Sequence, residues 1–391
     1  MFFRKTSIPA NVTAIAALGL LAGIAMSWPL WNVEARDSFP VLPLWGGYLE
    51  KSLLTGRWPA FLLVLLTLSV IARPTFKWLL AGLCGYIVLL CVIDLNRLQP
   101  WVWFYLLIFT VVCVGKKETE VHTATALRWL LAAVYFWGGF NKLTPYFAED
   151  NFPWFCDAFL WTKPAGQYPL LGYAIALLEM TLAAGLLLKN LRPSFRWVII
   201  GFHGLITLFL WKLDWNLVVI PWNAAMAAMA WALCPTPDAM GAVADATVRS
   251  TRFFSRERWV AGLAWTTPLL HFFYLWPHPL SWEMYTNTQP EATFYVESGR
   301  LNCTREMDEM WSALSFDDHT KLLLDDWATK ELHVPMFASE NTFRQAGAYI
   351  DRHVCPPKDQ DSASLFILTV NRWDESAEKM IEISGKDLIN K

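Results

Sequence analysis

The sequence predicts an all-α polytopic membrane domain of about nine transmembrane helices, followed by a small soluble α+β domain. Composition is the first reason, because 55% of the 391 residues are apolar and only 17% are charged, against about 25% charged residues in ordinary soluble domains. The second is the aromatic content: the chain has 23 Trp and 25 Phe, and Trp concentrates where lipid meets water. The third is a break in charge near residue 276, which divides the chain into two regions.

The charge break sets the predicted domain boundary. Residues 1–276 contain 21 Lys and Arg against 14 Asp and Glu, a net charge of +7, whereas residues 277–391 contain 11 against 20, a net charge of −9. We therefore predict a multi-span membrane domain over residues 1–276 and a soluble domain over residues 277–391. The basic residues of the first region lie in short loops between apolar runs. This pattern predicts a lipid bilayer as partner and no nucleic acid.

Nine segments of the first region provide, or nearly provide, the roughly 20 mostly apolar residues with which a helix crosses the hydrocarbon. The first follows Arg4 and Lys5 and lacks a small-residue cleavage site, which is typical of a retained signal-anchor. Pro221 interrupts the eighth, where we expect a kink. The nine segments are approximately 12–31, 58–72, 76–94, 100–114, 124–141, 168–188, 195–212, 216–234 and 258–276.

Basic loop residues predict the orientation. If the N-terminus is cytoplasmic, the inner loops hold thirteen Lys and Arg residues and the outer loops hold seven, although the outer loops include the long segments 32–57 and 142–167. Because cytoplasmic loops are enriched in Lys and Arg, we expect the N-terminus inside. Nine crossings then place the soluble domain on the non-cytoplasmic side of a plasma or inner membrane.

The acidic C-terminal region has patterns typical of both strands and amphipathic helices. Cys303 and Cys355 are its only cysteines. They form a disulfide if the region lies in an oxidising compartment, or remain two buried thiols. The predicted strands are PEATFYVES (290–298) and SASLFILTV (362–370), and the predicted helices are TREMDEMWSALS (304–315), DDHTKLLLDDWATK (317–330) and ENTFRQAGAYIDRH (340–353).

Ionisable residues inside apolar spans are the candidate functional residues, because burying them in lipid is expensive. Glu179 and His203 fall near the middle of the sixth and seventh spans, so they either pair with each other or line a wet cavity. Lys142, at the outer end of the fifth span, either extends to the interface or lies in a pocket. His271 is expected to be a hydrogen-bonded packing residue. No Cys or His spacing suggests a metal site, and none is predicted.

Four segments, in order, resemble one family. Together they look like the membrane core of the vitamin K-dependent γ-carboxylase-like proteins, also called the horizontally transferred transmembrane (HTTM) domain family, over about residues 125–300. The glutamate span with its small residues is also similar to the DoxX-like quinone-associated proteins. The four segments are YFWGGFNKL (135–143), LLEMTLAAGLLL (177–188), GFHGLITLF (201–209) and PLSWEMY (279–285).

The resemblance implies a nine-span fold with an active site near the non-cytoplasmic face and a reduced naphthoquinone as cofactor. In the carboxylase, the quinol is oxygenated, and the strong base so formed takes a proton from a glutamate side chain. Lys142 matches the lysine that acts as the first base towards the quinol, and Glu179 stands where the family has an acidic residue. His203 matches a histidine for which the resemblance implies no role. Asn141 stands where the carboxylase has a second lysine.

Two functions remain as alternatives. The first is a membrane enzyme, or enzyme-like protein, that binds a quinol or another lipophilic ligand between its spans, with Lys142, Glu179 and His203 as catalytic residues. A lysine in a low-dielectric pocket can be neutral and act as a base. The second is a non-catalytic membrane component whose external domain docks a partner protein. An apolar cavity that reaches Lys142 would favour the first, and a solidly packed bundle would favour the second.

Overall fold

The computed structural model describes residues 7–49, 56–116, 120–234, 255–273, 275–296, 321–354, 363–371, 374–384 and 387. The chain divides into two compact units. The unit we call the helical unit comprises Met1–Met26, Leu62–Val88 and Gln99–Asn287. The second, the sheet unit, comprises Ser27–Phe61, Leu89–Leu98 and Thr288–Lys391.

The sheet unit thus contains more than the C-terminal region. Two loops that the sequence analysis expects on the same face as the C-terminal region, within residues 27–61 and 89–98, belong to this unit. Its C-terminal segment begins at Thr288, whereas the charge break placed the boundary after residue 276.

Most of the described chain is helical. Short helical turns join the main helices, among them Trp28–Trp31, Val33–Ala35, Leu95–Arg97, Tyr146–Asn151, Phe152–Cys156, Lys163–Gln167, Leu217–Val219 and His278–Ser281. The main helices that precede the sheet are α1 (Ile8–Met26), α2 (Arg57–Ala72), α3 (Lys77–Ile93), α4 (Pro100–Val114), α5 (Glu120–Asn141), α6 (Pro169–Leu187), α7 (Arg192–Leu213), α8 (Ile220–Leu233) and α9 (Arg256–His271).

Three described helices are long and apolar enough to cross a membrane: α1, α6 and α7. The predicted number of nine is therefore wrong for the described part of the chain. Helices α2, α3 and α4 have 16, 17 and 15 residues, and a helix of 16 residues is only about 24 Å long. The 22 residues of α5 include charged residues at positions 120 and 128, which reduce its mean hydropathy. A run of apolar residues in the sequence predicts a transmembrane span, but several of the helices in the structure are shorter than the apolar run that contains them.

Prolines mark the first turn of several helices. Pro100, Pro169, Pro193 and Pro221 lie in the first turns of α4, α6, α7 and α8, where the missing N–H would have no helical acceptor anyway. Pro221 therefore begins a helix instead of interrupting one, and the predicted kink is wrong. Asp214 ends α7 in a left-handed conformation, which turns the chain towards α8.

Helices α5 and α6 approach closely at glycine. A Cβ atom added to Gly139 would lie 2.5 Å from the carbonyl oxygen of Ala176 and 2.8 Å from the amide nitrogen of Met180. Both partners are backbone atoms that cannot move aside cheaply. Gly139 is thus required for this spacing, as small residues commonly are where membrane helices pack.

The sheet unit is built around a four-stranded antiparallel sheet with strand order β2-β1-β3-β4. Leu365 lies opposite Phe294 on β1 and opposite Ile383 on β4, and all three side chains are buried. The strands are β1 (Glu291–Val296), β2 (Lys321–Leu323), β3 (Ala363–Asn371) and β4 (Asp374–Ser384), and the helices between β2 and β3 are α10 (Leu324–Leu332) and α11 (Glu340–Tyr349).

These elements confirm two predicted strands, β1 and β3, and the predicted helix over residues 340–353, which is α11 followed by the turn Ile350–Val354. The predicted helix over 317–330 is confirmed only from Leu324 onwards, in α10; Lys321–Leu323 form strand β2 instead, and residues 317–320 lie outside the described residues. Strand β4 was not predicted. Residues 304–315, Cys303 and Cys355 lie outside the described residues.

Buried charges connect the segments of the sheet unit. Arg36 forms an ion pair of 2.6 Å with Asp94, with both side chains fully buried, and its remaining donors contact the carbonyl oxygens of Pro29, Leu30 and Pro40. A buried ion pair must satisfy its other hydrogen-bonding groups to be tolerated. This guanidinium therefore fixes the path of the loop after α1.

Asp325, near the start of α10, accepts a hydrogen bond of 2.7 Å at a side-chain oxygen from the amide of Met336, while the residue as a whole is exposed to solvent. Desolvation of the carboxyl group by its surroundings raises the pKa of Asp325 from 3.8 to about 6; the hydrogen bond from Met336 opposes this shift, and the charges of Asp326 and Glu291 add to it. Between these two pKa values the unfolded chain is ionised while the folded unit keeps its proton. The free energy of unfolding therefore falls as pH rises from about 4 to about 6.

We expect Asp325→Asn to stabilise the sheet unit at pH 7 and to change it little at pH 4, because the amide keeps an acceptor for Met336 and removes a charge whose desolvation is unfavourable. Each unit of pKa difference corresponds to about tenfold in the opening equilibrium, and the solvent exposure of Asp325 reduces the effect. Hydrogen exchange over residues 321–354, measured by mass spectrometry and corrected for the intrinsic effect of pH, should slow by up to about tenfold at pH 7 relative to the unaltered protein. Glu340→Gln, at an exposed carboxylate, is the control. Protection in Asp325→Asn equal to that of the unaltered protein at pH 7 would contradict the assignment.

Candidate functional site

The helical unit contains a cavity of about 530 Å³. Its walls are mainly aliphatic and aromatic side chains of α5–α8 and of residues 147–165. A few polar groups in an otherwise apolar pocket are typical of small-molecule sites. The polar side chains that line it include Tyr135, Lys142, Glu179, His203 and Asn223.

Lys142 and Glu179 form the charged part of the site. The Nζ atom of Lys142 lies 2.9 Å from Oε2 of Glu179, and both side chains are only 9% exposed. Nζ also donates to the carbonyl oxygen of Gly138, at 3.1 Å. Lys142 is therefore buried in the cavity wall, which excludes the alternative that it extends to the interface. It is also the partner of Glu179, so the alternative that Glu179 pairs with His203 is wrong.

Gly138 makes room for this pair. A Cβ atom at position 138 would lie 2.6 Å from Oε1 of Glu179, so any larger residue would displace the carboxylate. Lys142 follows the last residue of α5 and is one helical turn from Gly138, whose carbonyl it contacts. The sequence Gly-Gly-Phe-Asn-Lys thus combines two functions: it lets α6 approach, and it places the ammonium beside the carboxylate.

His203 belongs to a second, uncharged group of polar residues. Its Nε2 atom is 2.6 Å from the hydroxyl of Tyr135, and its Nδ1 atom is 2.7 Å from Oδ1 of Asn223. The amide nitrogen of Asn223 donates to the carbonyl oxygen of Val219, at 2.9 Å. A carbonyl only accepts, so Oδ1 of Asn223 must face His203 and accept a proton from Nδ1. In the neutral imidazole with its proton on Nδ1, Nε2 is then the acceptor for the Tyr135 hydroxyl.

The three sequence-predicted site residues therefore line one cavity but belong to two hydrogen-bonded groups. Tyr135 and Asn223 complete the second group and were not predicted as site residues. Tyr135 was visible as the first letter of YFWGGFNKL, and Asn223 as a polar residue in the eighth span, but neither ionises readily and so neither stood out. Met284 and Tyr285 bring the PLSWEMY segment to the same cavity.

One wall of the cavity is accessible and apolar. It is formed by residues of α6 and α7, two of the three helices that are long enough to cross a membrane. If these helices span a bilayer, an apolar ligand can reach the cavity from the lipid. The half-exposed residues in this wall are Leu171, Ile175, Leu178 and Leu205, which are 43%, 38%, 39% and 53% exposed.

The pair places a candidate proton acceptor in the cavity wall. Nζ of Lys142 and Oε2 of Glu179 are 2.9 Å apart. Apolar surroundings penalise charged groups, and an amine that has lost its proton has a lone pair with which it can accept one from a ligand.

We expect substitutions of Lys142 and Glu179 to have strongly non-additive effects on the free energy of unfolding. Lys142→Met or Glu179→Leu alone leaves one buried charge without its partner, which typically costs about 3–5 kcal/mol. The double variant should regain a large part of that loss. Thermal unfolding of the four proteins in detergent gives the coupling free energy from the double-mutant cycle.

The exposed pair Lys163–Asp157, 3.2 Å apart with side chains 64% and 54% exposed, is the matched control in the same unit. Its cycle should give about 0–1 kcal/mol, as is usual for surface pairs. Additive losses in the Lys142 and Glu179 cycle would show that the buried ion pair does not form.

Three comparisons with known proteins bear on this site. No family model, no curated protein and no solved structure matches the chain. The functional assignment therefore depends on the cavity and its polar residues. The resemblance of the four segments to the γ-carboxylase-like family stays a prediction.

Proposed function

We propose that the protein is an integral membrane protein whose helical unit binds a quinol, or another lipophilic ligand with a polar head, in the cavity. Lys142 accepts a proton from that head group, and Glu179 supports it as the partner in the neutral pair. The observation that carries the proposal is the position of the Lys142–Glu179 pair in the wall of an otherwise apolar cavity.

A hydroquinone fits the chemistry of this cavity. It has an apolar ring and two phenolic hydroxyl groups. The apolar walls suit the ring, and a phenolic proton passes from oxygen to Nζ of Lys142. This step leaves a phenolate beside a newly formed ammonium, so that the two charges created are paired. No other bond forms or breaks in this step.

The uncharged group would orient the ligand. The Tyr135 hydroxyl donates to His203 and keeps its oxygen lone pairs for a ligand hydroxyl. Because Asn223 holds Nδ1 of His203 as a donor, the imidazole keeps one tautomer and fixes the direction of the Tyr135 hydroxyl. His203 and Asn223 are thus positioning residues in this proposal. The resemblance to the carboxylases extends it to oxygenation of the quinol and carboxylation, steps to which no cavity residue is assigned here.

The alternative, a non-catalytic component that docks a partner, predicts a solidly packed bundle. The cavity beside Lys142 supports the ligand-binding function instead.

Orientation is part of the proposal. The three long apolar helices are compatible with membrane insertion, and the distribution of basic residues favours a cytoplasmic N-terminus. With a cytoplasmic N-terminus, an odd number of crossings, whether three or nine, places a topology reporter fused after Lys391 outside. A reporter inserted within residues 240–250 lies outside if only α1, α6 and α7 cross the membrane, and in the cytoplasm if eight crossings precede it. A cytoplasmic reporter after Lys391 would contradict this orientation.

Ligand extraction tests the proposal directly. We expect full-length protein, purified in mild detergent and extracted with organic solvent, to yield a quinone or another lipophilic compound by mass spectrometry. Ala174→Trp fills the cavity, which Ala174 lines, and should remove that compound. Leu177→Trp is the control on the same helix, because Leu177 is 52% exposed and does not line the cavity. Identical lipid profiles in all three proteins would contradict ligand binding in the cavity.

The same preparation tests the role of Lys142. A reduced naphthoquinone is oxidised by oxygen faster as its anion, so a protein that deprotonates it should speed the appearance of quinone absorbance. Lys142→Arg keeps the positive charge, but a guanidinium cannot accept the proton. We expect the enhancement to fall by about 10²–10⁴, the usual contribution of a positioned base. An arginine variant with the full rate would exclude Lys142 as the base while leaving ligand binding intact.

A further inference from the structure

Two histidines and a glutamate that do not line the cavity lie close together near the end of the helical unit. His271 is the last residue of α9, and His278 begins the turn His278–Ser281. Oε2 of Glu283 lies 3.3 Å from Nε2 of His271 and 2.6 Å from Nδ1 of His278. The three ligand atoms all lie within 4.8 Å of one another.

We propose that His271, His278 and Glu283 bind a divalent first-row transition metal ion, such as zinc. This site is independent of the function proposed for the cavity. Two imidazoles and one carboxylate are ligands that suit zinc, iron and their neighbours, whereas magnesium and calcium prefer oxygen ligands alone. Three protein ligands also leave coordination positions open, as in catalytic metal sites.

The distances fit such an ion. A metal about 2.0–2.1 Å from each ligand atom holds tetrahedral ligands about 3.3 Å apart. The separation of 3.3 Å between His271 and Glu283 matches that value. The 2.6 Å between His278 and Glu283 is a hydrogen-bond distance, which would lengthen by about 0.7 Å when an ion replaces the proton. The two imidazole rings are 4.2 Å apart between centroids and inclined at 76°, so their nitrogens can point towards one ion without the rings stacking.

Burial adds an electrostatic reason. The side chain of Glu283 is 1% exposed, and those of His271 and His278 are 6% and 14% exposed. A buried carboxylate needs a positive partner, and buried charges are generally paired or bind metals. An imidazolium or a metal ion can provide that charge, and a metal ion uses all three side chains at once.

The backbone holds the three ligands in place. His278 lies between Pro277 and Pro279, which restrict the chain on both sides. Trp282 adopts a left-handed conformation, with φ of 62°, and turns the chain between His278 and Glu283. Asn141 donates to the carbonyl oxygen of Ser281, at 2.7 Å, which attaches this segment to the end of α5.

The proposed metal ligand Glu283 is adjacent in sequence to the cavity wall, because the next two residues, Met284 and Tyr285, line the cavity. The sequence predicts no metal site, since the spacing of six residues between the histidines, and of four between His278 and Glu283, matches no short metal motif. The turn at Trp282 brings the three side chains together.

Zinc binding by the full-length protein is the test, with a purification tag that contains no histidine. The protein is treated with a chelator, dialysed and titrated with zinc, and bound zinc and the melting temperature are measured. We expect stoichiometric zinc and a melting temperature that rises with zinc concentration, because an ion that binds only the folded state stabilises it. Glu283→Gln and His278→Ala should weaken binding by more than the roughly 10–100-fold that loss of an outer-shell residue costs.

The control is His333→Asn, at an exposed histidine of the sheet unit with a φ of 60°, a conformation that Asn tolerates. It should bind zinc as the unaltered protein does. If Glu283→Gln does not fold, His278→Ala, at the most exposed of the three side chains, still decides the question. Absence of saturable zinc binding in the unaltered protein, or equal binding in His278→Ala, would overturn the proposal and leave a His–Glu–His hydrogen-bond cluster that only holds the segment together.

Discussion

A lysine and a glutamate that are both withdrawn from water must lie close enough to neutralise each other, and much of the helical unit is arranged to allow this. Nζ of Lys142 can reach Glu179 at 2.9 Å only because α5 and α6 touch without a side chain between them. Gly139 permits the backbone contact, and Gly138 leaves space for the carboxylate. Breaking such a pair is costly, so the pair restricts how these helices can be packed as well as what the cavity can do.

The two polar groups of the cavity differ in a way that matters for chemistry. Lys142 and Glu179 form an ion pair of two oppositely charged side chains, whereas Tyr135, His203 and Asn223 form a chain of hydrogen bonds between uncharged groups. The first group provides the charges of the cavity, and the second provides a fixed set of hydrogen-bonding directions. A ligand with one acidic hydroxyl and an apolar body can use both groups without bringing water into the cavity.

Sequence reasoning located the charged residues of this site better than it located their partners. Lys142, Glu179 and His203 are conspicuous because ionisable residues are rare in apolar runs. Which of them pair depends on where helices cross, and this depends on Gly138 and Gly139 rather than on the ionisable residues themselves. The number of transmembrane spans was overestimated because the hydropathy of a segment does not indicate the residue at which its helix ends. Strand β4, in the segment DESAEKMIEIS (374–384), begins with charged and small residues that are not typical of strands.

The sheet unit shows how far a domain can depend on residues outside its own stretch of sequence. Glu331, on α10, accepts hydrogen bonds from the amides of Ser38 and Phe39, at 2.8 and 2.7 Å, and from the indole of Trp327, at 2.7 Å. Asn96 accepts another from the amide of Phe337, at 3.1 Å. A boundary drawn where the net charge changes sign would separate these donors from their acceptors. Since a buried carboxylate that loses its donors is strongly destabilising, residues from Thr288 onwards would lack these stabilising contacts if separated from the loops around Ser38 and Asn96.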